Sequence, residues 1–280
     1  MREIDVNIVK EKIKEMFISL NYKMNPDLRN AILKASEVEE DELPKGILCD
    51  LLLNAEVSEE TGIPMCQDTG MAIIFAEIGQ DVHFNSGFIE DSINQGVREA
   101  YEEGYLRKSV VAHPLIRKNT GDNTPAIIHY EIVKGDKVKL IATAKGFGSE
   151  NMSRIKMLNP SDGEIGILNF IIETIILAGA NPCPPIVVGV GIGGTMEKAA
   201  IMSKKALTRE IGTHSQDEKA KEIEEKALSL INKLNIGPQG FGGKTSAFAV
   251  NVDLFPTHIA GLPIAVNINC HASRHMEAII

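Results

Sequence analysis

The chain has 280 residues, 44% of them hydrophobic and 24% charged, with a formal net charge of −9. That length buries roughly 75% of the unfolded surface, so folding needs neither disulfide nor metal, and one large domain or two packed lobes are both compatible with it. The acidic balance excludes binding along nucleic-acid phosphates and argues against an anionic membrane face, so an acidic substrate would need a locally basic site.

Taken in order, Val6, Val9, Ile13, Met16 and Phe17 recur at helical spacing, and Leu28, Ile32 and Leu33 repeat the pattern after Pro26. A third helix is expected over residues 43–57, with Leu48, Leu51, Leu52 and Ala55 on its apolar side. Cys49 falls on this helix and reads as a small core hydrophobe. Residues 1–62 therefore form a helical N-terminal part. The opening Met1-Arg2-Glu3 has no apolar signal-peptide region, and the longest apolar stretch, residues 168–180, carries Asn169 and Glu173. It is too short to span a bilayer. Four cysteines in such a chain are expected as reduced thiols, and the expected location is cytoplasmic.

Beyond Gly62, residues 71–76 are an apolar run that predicts a buried strand, and residues 89–103 predict a helix. Residues 126–133 and 138–144, joined by Gly135-Asp136, predict an antiparallel hairpin. Ser161-Asp162-Gly163-Glu164 has the form of a capping box opening a helix to residue 177. A strand at 186–190 and a helix at 195–209 follow. The next helix, 216–234, has Ile223, Ala227, Leu230 and Ile231 inside and a charged, solvated face outside. Strands at 247–252 and 263–268 end the series. Helices and strands mix without strict alternation, so the expected fold is mixed α/β (α+β). It comprises a helical N-terminal segment and mixed or antiparallel sheets flanked by helices, as a single domain over residues 1–280.

Between these elements lie polar, glycine-rich segments: 66–70, 119–125, 145–151, 189–195, 237–245 and 270–275. Such loops let backbone N–H groups approach a ligand closely. Gly189-Val190-Gly191-Ile192-Gly193-Gly194 fits the dinucleotide pattern G-x-G-x-x-G, but no strand ending in an acidic residue follows, as that unit requires. Gly237 to Thr245 ends like a P-loop, yet Pro238 stands where that motif needs glycine. Three cysteines occupy such segments: Cys66, Cys183 and Cys270. They lie roughly 90 to 120 residues apart, unlike the close pairs of a zinc finger or the run of a ferredoxin, so only tertiary folding could bring them together.

Met65-Cys66-Gln67-Asp68-Thr69-Gly70, Asn119 to Ala126, Asn181-Pro182-Cys183-Pro184-Pro185, Gly191 to Thr195, Gly237 to Thr245 and Pro256-Thr257-His258-Ile259-Ala260-Gly261 occur in one order. Together they resemble the class I, iron–sulfur-dependent fumarase and tartrate dehydratase family, and more narrowly its α-subunit. The resemblance runs from about residue 40 to the C-terminus. It implies a [4Fe–4S] cluster on Cys66, Cys183 and Cys270 with one iron open. It also implies contacts to a small dicarboxylate substrate from Gln67, Asp68, Arg107, Gly148 and His258. Arg107 would grip the distal carboxylate with two hydrogen bonds. Asp68 and His258 would be the catalytic pair, Asp68 handling protons or orienting His258. Asp122 reads as a loop organiser. His271 and His275, flanking Cys270, read as supporting or surface residues.

The chain ends at Ile280, soon after Cys270. In single-chain members of the family a further region supplies the base and more substrate-binding residues. A separate β-subunit is therefore the expected partner, in a dimer of αβ units. The expected reaction is reversible hydration of fumarate to L-malate. The same motifs suit an L-tartrate dehydratase α-subunit. Different in kind are a non-catalytic Fe–S-binding protein and a zinc hydrolase.

Overall fold

The structure, a computed structural model, describes residues 1–280. The first half carries β1 (Arg2–Asp5), α1 (Val6–Tyr22), α2 (Pro26–Val38), α3 (Glu42–Thr61), β2 (Met71–Gly79), β3 (Val82–Asn85), α4 (Ile89–Glu103), β4 (Ile127–Val133) and β5 (Val138–Lys145). Then follow α5 (Phe147–Glu150), β6 (Arg154–Leu158), α6 (Gly163–Ala178), β7 (Ile186–Gly193), α7 (Met196–Ala206), α8 (Glu218–Asn232), β8 (Ala247–Phe255), β9 (Leu262–Asn269) and β10 (His275–Ile279). This is the expected α+β class. The chain divides into two compact units: Met1–Asn25, Ala55–Phe147 and Arg274–Ile280 form the first, and Pro26–Asn54 with Gly148–Ser273 the second.

In the first unit Asp5 caps α1, its carboxylate accepting from the Asn7 amide at 2.8 Å. The predicted stripe of Val9, Ile13, Met16 and Phe17 is fully buried against Ile93, Val97, Ala100 and Tyr101 of α4 and against a four-stranded sheet. That sheet has the order β10-β5-β2-β4. The expected hairpin is absent: β4 and β5 do not pair, because β2 lies between them, parallel to β4 and antiparallel to β5. β2 is buried on both faces through Ile73, Ile74, Phe75 and Ala76, whereas Ile127, Tyr130 and Ile132 of β4 are exposed. Apolar burial therefore gives β2 the centre and β4 the edge. The connection after β4 wraps around the end of β2, where Gly79 N donates to Lys137 O and Gln80 N to Val133 O, each at 2.8 Å. A Cβ on Gly79 would stand 2.5 Å from Gly135 O, so the wrap needs glycine there.

The second unit is built on a sheet of order β6-β9-β7-β8, in which β7 is buried along its whole length. Val188, Val190 and Ile192 join a core with Phe170, Ile171 and Ile175 of α6 and Ile223, Ala227 and Ile231 of α8. On the alternate positions, Gly189 and Gly191 lie against α7: a Cβ would stand 2.0 Å from Ser203 O and 2.1 Å from Ala199 O, respectively. The dinucleotide-like pattern thus serves close packing of a helix on a strand.

Three local expectations change. The capping box is one of Asn159 and Asp162, with Asn159 N donating to Asp162 at 2.8 Å, and it closes a 3₁₀ turn just before α6. Cys49 is exposed on α3, not packed in a core. Glu224, on the face of α8 expected to be solvated, is 2% exposed. It accepts from Arg209, from the Ser215 amide at 3.1 Å and from the Val252 amide at 2.8 Å. Burial of that carboxylate is tolerated because a cation and two amides satisfy it.

Candidate functional site

In the first unit the loop ahead of β2 is fixed from several directions. Asp68 accepts from the Gly70 amide on Oδ1 at 3.0 Å and from the Phe147 amide, just past β5, on Oδ2 at 2.9 Å. The Thr69 hydroxyl accepts from Arg107 N at 2.9 Å and donates to Arg107 O at 3.2 Å. Asn123 Nδ2 donates to Gly70 O at 3.2 Å while its Oδ1 accepts from the Ser109 amide at 2.7 Å and the Val110 amide at 3.1 Å. Tyr101, 1% exposed, lies with its hydroxyl 2.8 Å from Gly70 O. Burial raises its pKa, so it remains a neutral donor.

Cys66 and Asp68 are half-buried at this corner, and Gln67 and Arg107 are exposed. The guanidinium of Arg107 forms no ion pair. Arg274 adds a second cation, 3% exposed, with Nη1 donating to Asn21 Oδ1 at 2.9 Å.

The second unit brings Cys183 and Cys270 to one end of its sheet. β7 and β9 are antiparallel with Val187 opposite Asn269, so the residues just before β7 and just after β9 are neighbours. His271 N donates to Cys183 O at 3.2 Å. Cys183 has φ 54°, a left-handed backbone that is uncommon for cysteine and typical of functional loops. Gln239 pins the loop: its backbone N and its Nε2 donate to Pro184 O at 2.8 and 3.0 Å, and Nε2 lies 3.0 Å from His271 Nδ1. Gly148 belongs to the same corner, since a Cβ on it would stand 3.4 Å from Asn181 O.

None of the four cysteines forms a disulfide; Cys183 is exposed and Cys66 and Cys270 are half-buried. Accessible thiols in polar loops suit iron–sulfur ligation by donor type. Within neither unit do three or more His, Cys, Asp or Glu side chains gather as a metal site. Cys66 belongs to the first unit, and the other two belong to the second.

His258 is exposed between β8 and β9, at the opposite end of β9 from Cys270. Eight strand residues, about 26 Å at 3.3 Å per residue, separate those ends. A groove of about 460 Å³ lined by Asp27, Lys34, Glu210, Ile211 and Leu228 is also in the second unit and includes neither cysteine. Sequence reasoning missed Asn21, Tyr101, Asn123, Gln239 and Arg274 as builders of these corners. Only Asn123, Gln239 and Arg274 carried a signal, as members of the polar loops.

Asp122 organises its loop as expected, accepting from the Thr124 amide at 3.0 Å and from Arg98 Nε at 2.8 Å. Burial raises its pKa, but the hydrogen bonds from Thr124 and Arg98 outweigh burial and hold it at about 2 against an ordinary 3.8. A depressed carboxylate contributes stability above its unfolded pKa and loses it as pH falls toward the folded value. Asp122→Asn should therefore cost about 1 kcal/mol at neutral pH, after discounting for solvent screening. In urea melts, the gap between variant and wild type should close as pH drops from 4 toward 2. A gap independent of pH would show that the carboxylate charge contributes nothing.

The profile described as Fumarate hydratase (Fumerase) matches residues 10–279. Over 272 residues the chain is 42% identical to a Methanocaldococcus jannaschii protein provisionally named L(+)-tartrate dehydratase subunit alpha, covering 95% of each chain. It is also 30% identical over 272 residues to the L(+)-tartrate dehydratase subunit alpha of Escherichia coli strain K12, covering 96% of this chain and 89% of that one. No helix is long and apolar enough to cross a membrane.

Proposed function

The chain belongs to the fumarate hydratase (Fumerase) family as the α-subunit of a hydro-lyase, and on that premise we propose that it interconverts fumarate and L-malate together with a separate β-subunit. The observation that carries this is the first-unit corner, where the Thr69 hydroxyl and the Asn123 amide tie the Cys66–Gly70 loop to the segment bearing Arg107. The Arg107 backbone is thereby fixed to the loop that carries Cys66 and Asp68.

In this reading Cys66, Cys183 and Cys270 hold a [4Fe–4S] cluster, both units acting as one catalytic domain in the cytoplasm. When bound, the cluster supplies a Lewis-acidic iron without a protein thiolate. Arg107 and Gln67 orient the dicarboxylate, and Gly148 lets the backbone approach it. Asp68, restrained through both oxygens, receives or returns a proton. His258, a full strand away from Cys270, takes part only at a pocket completed by another chain, in keeping with a dimer of αβ units.

L-Tartrate dehydration is the second reading, favoured by the names of the relatives. Anaerobic co-expression with candidate β-subunits, with iron and sulfide analysis and assays on fumarate, L-malate and L-tartrate, tests both. The expected result is turnover of at least one substrate by the pair, and about 100-fold less by this chain alone, since in this reading the β-subunit supplies part of the constellation. Full activity of the isolated chain would remove the β-subunit from the proposal. An iron-loaded pair inert toward all three substrates would remove the reaction.

A further inference from the structure

Each four-stranded sheet has one long strand at an edge, β4 in the first unit and β8 in the second. The β8 edge is closed by α8. Asn232 Oδ1 accepts from the Ser246 and Ala247 amides at 2.8 and 2.9 Å, and Glu224 accepts from the Val252 amide at 2.8 Å. β4 has no such cover. Val133 O accepts from Gln80 N, at the end of β2. In a parallel pair the N–H and C=O of one residue point the same way, and the direction alternates along the strand. Ile127, His129, Glu131 and Val133 therefore bond to β2, and Ile128, Tyr130 and Ile132 turn their backbone groups outward. No other strand pairs with these three, and Tyr130 and Ile132 are 43% and 68% exposed. The strand reads Ile-Ile-His-Tyr-Glu-Ile-Val, without the proline or lysine that blunts an edge.

An open edge of this kind accepts another strand, and its sequence selects which. Paired antiparallel with a copy of itself about a two-fold axis at Tyr130, β4 sets Tyr130 opposite Tyr130 and Ile128 opposite Ile132. Those pairs use only the outward groups and make about six hydrogen bonds. The intervening pairs bring side chains closest, and they set His129 opposite Glu131 of the copy on both sides of the axis. An imidazole N–H donates to a carboxylate whether the ring is neutral or charged. Moving the axis to Glu131 opposes two like charges, and moving it to His129 sets Glu131 against Ile127. Hydrogen-bonding pattern and charge thus agree on one register.

We infer that β4 is the surface through which two copies of this chain associate, joining their sheets into one across a two-fold axis at Tyr130. The inference deepens the dimer of αβ units proposed above and rests on that reading for the β-subunits, while the pairing itself needs only this chain.

Sedimentation equilibrium of the full chain, alone and with a β-subunit, tests it. The wild type should sediment as a dimer alone and as a pair of αβ units in the complex. Tyr130→Pro removes the central outward N–H and spares the bonds to β2, and Ile132→Lys places a charge on the exposed edge. Each should weaken the dimer about 100-fold and leave the circular dichroism of the chain unchanged. Register is read by cross-linking. In Tyr130→Cys the new thiol meets its own copy with Cα atoms about 5.5 Å apart, within disulfide range, so mild oxidation should give a covalent dimer. Ile128→Cys, which faces Ile132, should give none, and wild type controls for the native thiols. A monomeric wild type, a dimer that both edge variants leave intact, or a Tyr130→Cys chain that fails to cross-link would overturn the pairing. Turnover by a complex that stays a single αβ unit would remove the pairing and leave the hydro-lyase standing. A dimer whose complex is inert toward fumarate, L-malate and L-tartrate would do the reverse.

Discussion

Serine at Cys66, Cys183 or Cys270 is expected to lower turnover of the reconstituted enzyme by about 10³-fold or more, the equivalent of ~4 kcal/mol of transition-state stabilisation. A thiolate is soft and ionises readily, whereas a serine hydroxyl is hard and stays protonated at neutral pH, so the exchange removes a ligand while changing one atom. Three protein sulfurs leave no reserve, and each variant should lose iron and acid-labile sulfide in parallel with activity. The fold should survive, because a chain of 280 residues buries enough surface to fold without metal. Circular dichroism and melting of the cluster-free proteins should therefore match wild type. Cys49→Ser is the internal control: that thiol is exposed on α3, and its loss should alter neither iron content nor rate. Normal iron and activity in the Cys183→Ser enzyme would exclude a three-cysteine site.

The same residues show how far sequence reaches. The helices were legible where apolar spacing is regular: α1 buries Val9, Ile13, Met16 and Phe17, and α4 runs over Ile89–Glu103 as expected. The short strands β1, β3, β6 and β10 were not, since each has only four or five residues and is partly exposed, too little for a period of two to declare itself. Strand order failed for a related reason. Adjacent apolar runs around Gly135 look like a hairpin locally, and only the competing demand of β2 for burial on both faces separates them. At the candidate site, cysteines in polar loops could be picked out by residue type. Asn21 and Tyr101 could not, because one satisfies the side chain of the distant Arg274 and the other a distant backbone carbonyl, roles that leave no local pattern. Buried Glu224 makes the same point, since its partners Arg209 and Ser215 lie in the α7–α8 connection and Val252 in β8.

Gly191→Ala is expected to destabilise the second unit by about 3–5 kcal/mol, a large part of the 5–15 kcal/mol that holds a typical domain. The new methyl would stand 2.1 Å from Ala199 O and 2.8 Å from Ser203 N, both backbone atoms of α7. A side chain in the way could rotate, but a helix backbone can only move as a body. Moving it would open the contact that Gly189 makes one pleat away, where a Cβ would meet Ser203 O at 2.0 Å. Val190→Ala gives the scale for comparison, because it deletes methyl groups from the opposite, α6-facing core and should cost about 1–3 kcal/mol. Urea melts should then rank Gly191→Ala below Val190→Ala, against the usual order in which deletion harms more than a small addition. The ranking also separates two meanings of the glycine pattern. Glycines kept for a phosphate would tolerate a methyl in the empty protein and show the defect only on ligand binding. Glycines kept for α7 show it in the fold itself, and a Gly191→Ala chain with an unchanged midpoint would refute that packing role.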